Sequence, residues 1–406
     1  MHRGGLSPPK RSGGLLRALL LLVTAAAILC VLALDGGHGA AGGPGHHASA
    51  PAQASGRQRS PLTLPPDPRL PSGVRALYPP LPPGAPDVFG PAVTRIIITF
   101  IGPHMNLFYT QCLRALVLQH CHAPSVRVLV WANELSADFL DSALGDVLRD
   151  GAGTPRLHLV RYNVSELAAG APGAGETLEF LLHPPGEVQP SMEPQVRKAH
   201  VTDVVRMVVL WRFGGVYLDA DILPLRPVHE LGVAFSANLG NYECTRALNA
   251  GWPDNPPVAM PAALGGGTVS CMCICFLSFP QPGHPLIHAI LAQGLPVFQS
   301  RSCVYGGLGA WLFMDALRAA VAAGESGAGP PLDARPISVS EALCWPQVLD
   351  AIPTQSEAAV EAIMRDCITV HMMGGAHANK FAQTRVDNST LFGQVFNRIK
   401  LPAKCA

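Results

Sequence analysis

The chain has 406 residues, of which 48% are hydrophobic and only 14% charged, and its formal net charge is +1. That length allows one large domain or two small ones with segments to spare. A near-neutral balance excludes the basic footprint of a nucleic-acid-binding protein, so no nucleic-acid partner is indicated.

Residues 1–17 include Arg3, Lys10, Arg11 and Arg17 and read as a cytosolic tail. Residues 18–34 (ALLLLVTAAAILCVLAL) contain no charged side chain. As a helix they would span roughly 25 Å, suited to the thinner membranes of the early secretory pathway. Basic residues before the run and Asp35 after it predict a single-pass type II anchor with everything beyond it in the lumen. The rival reading, a cleaved signal peptide, would need a shorter apolar core and a small-x-small site. Cys30 lies in the apolar run, and ten cysteines follow it. An even number suits disulfides in an oxidising compartment. The sequons at Asn163 and Asn388 would be used only in the lumen.

Residues 35–91 are rich in Pro, Gly, Ala and Ser. Such sequence buries too little apolar surface to offset backbone entropy, so it predicts a disordered stem. Residues 92–406 are then the luminal domain. The apolar run VTRIIITFIG from Val93 predicts a buried strand, followed by a helix over 106–119. VRVLVW (126–131) predicts a second strand, residues 137–149 a helix, and RLHLVRY a third strand ending near Tyr162. Strands alternating with helices imply an α/β fold with a mostly parallel sheet covered on both faces. Ligands of such sheets sit at the carboxyl ends of the strands.

Pro194 is a plausible first-turn residue of a helix running to Phe213, stopped by a left-handed cap at Gly214-Gly215. The helix is apolar almost all round, so it predicts burial. Asp203 and Arg206 interrupt it on one face. Two readings remain open: a mutual ion pair, or groups aimed at sugar hydroxyls. Residues 216–222 (VYLDADI) read as a strand carrying Asp219 and Asp221. Two carboxylates held close in an apolar strand repel each other, and a divalent cation, Mn²⁺ or Mg²⁺, resolves this. Such an ion would neutralise charge growing on a departing nucleoside diphosphate.

The segment T-D-V-V-R-x4-W-R-F-G-G-V-Y-L-D-A-D resembles the sugar-binding DXD region of glycosyltransferase family thirty-two. That family includes α1,4-galactosyltransferases, α1,4-N-acetylglucosaminyltransferases and initiating mannosyltransferases. The strong resemblance covers about thirty residues, Asp203 to Leu231. It implies a GT-A type, Rossmann-like mixed sheet flanked by helices, a nucleotide-sugar donor, Mn²⁺ dependence and retention of configuration. It implies that Asp203 and Arg206 contact the donor sugar, that Tyr217 lies near the nucleotide, that Asp219 contacts ribose or sugar and helps fix the metal, and that Asp221 ligates it.

Residues 367–373 (CITVHMM) predict a late strand. His371 there is a candidate third metal ligand or a satisfied core histidine, and Lys380 a candidate diphosphate contact. Relatives often have a tryptophan where Met372-Met373 stand. Cys271, Cys273 and Cys275 alternate along a strand, a spacing that suits disulfides to loops or burial as small hydrophobes better than a zinc cluster. The glycine-rich turn before Trp311 reads as turn chemistry.

The expected function is transfer of a hexose or N-acetylhexosamine from a UDP-sugar, or from GDP-mannose, to a glycan hydroxyl on a glycolipid or glycoprotein at the Golgi membrane. The alternative is a catalytically inactive luminal sugar-binding protein of the same fold. A metal-dependent phosphatase or nucleotidyltransferase would want more acidic ligands or a phosphate-cradling loop.

Overall fold

In the computed structural model the residues described are 69–149, 153–186, 194–239, 257–300, 307–338, 357–371 and 391–399. All of them belong to one compact unit, Pro61–Ala406. The tail, the anchor expected at 18–34, Asn388 and Lys380 lie outside these residues. Among the described residues no helix is long and apolar enough to cross a membrane.

The eleven described strands are β1 (Val74–Tyr78), β2 (Thr94–Thr99), β3 (Val126–Trp131), β4 (Leu157–Tyr162), β5 (Gly215–Leu218), β6 (Ile222–Pro224), β7 (Ala234–Leu239), β8 (Val258–Ala259), β9 (Thr268–Phe279), β10 (Arg335–Ser338) and β11 (Thr369–His371). The main sheet runs β1-β4-β3-β2-β5-β9-β7-β10, with β8 paired to β9. The block β4-β3-β2-β5 is parallel, as the alternation of strands and helices predicts. The remainder is not mostly parallel: β9 enters antiparallel to both β5 and β7. The second half of the chain reaches the sheet through a long returning strand rather than another strand–helix–strand unit.

One expectation needs correction. β1 falls inside the segment read as stem, and pairs antiparallel with β4. Prolines on either side (71, 79, 80) mask it in the sequence, yet Val74 and Leu77 are buried against the core. Proline is tolerated there because β1 is an edge strand. The folded domain therefore begins before residue 92.

The pleat assigns side chains to two cores. Ile96, Ile98, Val216 and Leu218 point to one face, where helix Leu107–Gln119 packs Leu113, Leu116 and Val117 on them. Asn106 starts that helix, its side chain accepting from the Tyr109 N–H at 3.0 Å. Ile97, Leu129 and Tyr217 point to the other face, covered by Val204, Val205 and Val208 of helix Pro194–Phe213. That long helix is buried on most sides and has the bounds that Pro194 and the glycine pair predict. The helix expected over 137–149 is shorter, Ala137–Leu144, and stops at Gly145. A third cluster joins Leu223 and Leu225 to Cys367 and Val370, and backs the small sheet in which β11 pairs with β6.

Candidate functional site

The site forms where the long helix turns into β5. Gly214 has φ 62° and Gly215 φ 131°. A Cβ at Gly214 would stand 2.3 Å from the Pro280 carbonyl oxygen, and one at Gly215 would stand 2.6 Å from that of Arg95. Only glycine fits this turn, which lets the chain leave the helix and enter the sheet at once. β5 lies between β2 and β9, where strand order reverses: β3 and β4 follow on one side of β2, and β5 sits on the other. The crevice at the carboxyl end of such a switch is where α/β sheets bind ligands. Asp219 and Asp221 emerge there.

They are not in a strand, as the apolar run VYLDADI predicts, but in the turn between β5 and β6. The Asp219 N–H donates to the Cys275 carbonyl at 2.9 Å, and the Ile222 N–H closes the turn on the Asp219 carbonyl at 3.1 Å. The antiparallel pair β6–β11 then places His371 opposite Ile222. His371 Nε2 stands 3.3 Å from Asp221 Oδ1. Asp219, Asp221 and His371 each offer one ligand atom, all within 4.8 Å of one another. Two hard carboxylates and an imidazole suit a divalent cation such as Mn²⁺.

Arg206 ties this cluster to the helix. Its Nη2 is 3.0 Å from Asp203 Oδ1, and its Nη1 is 3.3 Å from Asp219 Oδ1. Nη1 also donates to the Ile274 carbonyl at 3.0 Å. The guanidinium lies 4.5 Å from the centre of the Tyr217 ring, a cation–π contact. The ion-pair reading of Asp203 and Arg206 is thus realised, but the pair is joined to the carboxylate turn rather than standing apart from it.

Tyr217, which the resemblance places near the nucleotide, has its ring in the core next to the carboxylate turn. It points into the core beneath Arg206 and is 0% exposed. Its hydroxyl donates to Asp219 Oδ1 at 2.6 Å and lies 3.1 Å from Thr99 Oγ1. Period-two alternation explains this: Val216 and Leu218 face one core, so Tyr217 must face the other.

The electrostatics fit a site that wants a cation. Burial pushes the Asp219 carboxyl up, Arg206 opposes that, and the neighbouring Asp221 charge adds to it. Burial disfavours a charged His371, but the Asp221 and Asp219 carboxylates outweigh it and the net direction is up. Burial also raises the Tyr217 hydroxyl well above its ordinary value, which keeps it a donor.

Two contributors were not read from the sequence. Gly309, in the glycine-rich turn, backs Asp203: a Cβ there would lie 3.3 Å from Asp203 Oδ2 and 2.7 Å from Ile274 Cδ1. β9 bulges beside the site, where the two-residue step Phe235–Ala237 on β7 faces the five-residue step Leu277–Met272. The bulge aims the carbonyls of Ile274 and Cys275 at Arg206 and Asp219. It also brings Cys273 and Cys275 together, and they are disulfide-bonded to each other rather than to loops.

The fold and site define an α/β protein with a carboxylate–imidazole cluster at a topological switch point. Residues 116–238 match the family described as "Glycosyltransferase sugar-binding region containing DXD motif". That span holds Asp203, Arg206, Tyr217, Asp219 and Asp221, and stops short of His371. No curated protein matches the chain. Among solved structures the chain is similar to the PaToxG glycosyltransferase, at 13% identity over 58% of this chain and 72% of that one, with a TM-score of 0.35. It is similar to galactosyltransferase LgtC in complex with donor and acceptor sugar analogs, at 10% identity over 75% and 95%, with a TM-score of 0.38. A third similar structure is the WbbM bifunctional glycosyltransferase, at 9% identity over 77% and 50%, with a TM-score of 0.36.

Proposed function

We propose that this chain is a nucleotide-sugar-dependent glycosyltransferase, transferring a hexose or N-acetylhexosamine with retention of configuration to a glycan hydroxyl on a glycolipid or glycoprotein. The observation that carries the reading is the convergence of Asp219, Asp221 and His371 within 4.8 Å, one guanidinium away from Asp203. The family match, which spans Asp203, Arg206, Asp219 and Asp221 but not His371, supports it.

Asp221 and His371, with Asp219 beside them, would hold a divalent cation. When bound, such an ion supplies Lewis-acid neutralisation of charge on a diphosphate leaving group. The chain's own residues prepare the site. Tyr217 and Arg206 both engage Asp219 Oδ1, which fixes one oxygen of that carboxylate and leaves Oδ2 for a ligand. Arg206 holds Asp203 in the same array, and the role we assign to this pair is orientation of donor-sugar hydroxyls. Because these groups are already fixed by one another, little reorganisation is needed at the moment of transfer.

The reading extends to the parts of the chain outside the described residues. A type II anchor at 18–34, a luminal domain at the Golgi membrane and a diphosphate contact from Lys380 are proposed from the sequence alone. Hydrolysis and transfer assays of the full chain against UDP-Gal, UDP-GlcNAc, UDP-Glc and GDP-Man, with Mn²⁺ and with a chelator, test the activity. Chelator-sensitive consumption of one donor is expected. Donor binding with no turnover on any of them would favour an inactive sugar-binding protein instead.

A further inference from the structure

The β9 bulge assembles a second donor set, which shares His371 with the carboxylate cluster and adds two sulfurs that the transferase reading does not use. Along a regular strand, residues two apart are separated by roughly 6.6 Å. The Cα atoms of Cys273 and Cys275 are 5.3 Å apart. The closer approach accompanies the register shift against β7, and residues two apart already share one side of the strand. His371 completes the group. Its Nδ1 lies 3.6 Å from Cys275 Sγ, on the opposite side of the ring from the nitrogen that faces Asp221. Cys273, Cys275 and His371 offer three ligand atoms within 4.8 Å of one another.

We propose that the reduced form of this cysteine pair, with His371 Nδ1, is a soft-metal site that takes Zn²⁺ or a similar thiolate-preferring cation. Zinc bonds sulfur at about 2.3 Å and imidazole nitrogen at about 2.0 Å, so a tetrahedral site has a sulfur–nitrogen edge of roughly 3.5 Å. The observed 3.6 Å between Cys275 Sγ and His371 Nδ1 matches that edge, and breaking the S–S bond lets the two sulfurs part to a sulfur–sulfur edge of roughly 3.8 Å. Three protein ligands leave a fourth position for water. With the carboxylate cluster free of metal, Asp221, 3.3 Å from His371 Nε2, stands where a carboxylate orients a metal-bound histidine from its outer nitrogen, so the two sites are alternatives that share one ring. The carboxylates on one side of the ring suit hard cations and the sulfurs on the other suit soft ones. In the disulfide form the sulfurs are not thiolates and the soft site is closed. A two-electron reductant opens it: a phosphine takes up the oxygen of one water, the S–S bond breaks, and each sulfur gains one electron and one proton. Metal binding then releases those two protons. Cys273 is only half-buried, so a small reductant has access.

This inference does not rest on the transferase reading, because its test reads metal–sulfur bonding. The full chain is reduced with a phosphine, the phosphine is removed without air, and Co²⁺ is added as the probe. The expected result is a thiolate-to-cobalt charge-transfer band with the intense visible bands of a tetrahedral ion, reduced at least tenfold in the C273S/C275S variant. No band, or an equal band in the variant, overturns the proposal. A measurement on the unaltered chain guards against a variant that does not fold. Bound Zn²⁺ should slow alkylation of Cys273 and Cys275 at least tenfold, read by peptide mapping, and unchanged rates overturn the proposal.

Discussion

Arg206 is the side chain on which the site's electrostatics depend. It is 6% exposed and shared by two carboxylates, Asp203 and Asp219. Removing one partner of a buried ionic group leaves the other charges uncompensated, which costs about 3 kcal/mol or more. Arg206→Leu should therefore lower stability in chemical denaturation by about 3 kcal/mol and abolish donor turnover. Tyr217→Phe is the milder test. It removes the 2.6 Å bond to Asp219 without changing ring volume, and should cost about 1 kcal/mol of stability. Because Asp219 Oδ1 then keeps only Arg206, a loss of turnover larger than the loss of stability explains is expected. Unchanged turnover would mean that Tyr217 serves packing alone. Asp203, Arg206, Asp219 and Asp221, which the structure brings together, were legible because charged residues stand out in apolar runs. Tyr217's inward direction follows equally from alternation along β5.

At the scale of elements, the helix–glycine–strand junction was readable and the turn after it was not. Gly214-Gly215 ends an apolar helix in a way that few other dipeptides can, so both the stop and the following strand follow from the sequence. Gly214→Ala should cost on the order of 3 kcal/mol, since its φ of 62° and the 2.3 Å approach to the Pro280 carbonyl both oppose a side chain. The carboxylate turn, by contrast, looks like strand in the sequence because Ala220 and Ile222 continue the apolar run. What breaks the strand is the demand of β11, which pairs with β6 from more than a hundred residues away. The β9 bulge is hidden for the same reason. Cys271, Cys273 and Cys275 alternate regularly in sequence, and only the register with β7 shows that the strand departs from that regularity. Long-range pairing carries no local signature.

Across the whole molecule, two buried histidines set a pH dependence that lies away from the site. His120 Nδ1 is 2.8 Å from the Leu116 carbonyl, and its Nε2 accepts from the Val228 N–H at 3.0 Å. Burial pushes its pKa from 6.5 down to about 4. Burial does the same to His158, also down to about 4. The folded state keeps both rings neutral, while the unfolded chain takes up protons first as pH falls. Their contribution is complete above the unfolded value, and is lost as pH falls from about 6.5 to about 4. Each ring accounts for about 3 kcal/mol across that window. Urea denaturation at pH 7 and pH 4.5 should show His120→Gln losing less stability over the interval than the unaltered chain. Equal losses would show that His120 is not the titrating group. The parallel block of the sheet was legible from three apolar runs, whereas β1 was hidden by the prolines beside it. The central claim is that Asp221 holds a cation beside a sugar-linked diphosphate. Titration of Mn²⁺ into the full chain with UDP present, followed by electron paramagnetic resonance of the free ion, tests it most directly. The unaltered chain should bind one ion, and Asp221→Asn should weaken that binding on the order of 10²-fold, at least the loss caused by outer-shell changes. The same affinity in both chains would contradict the account.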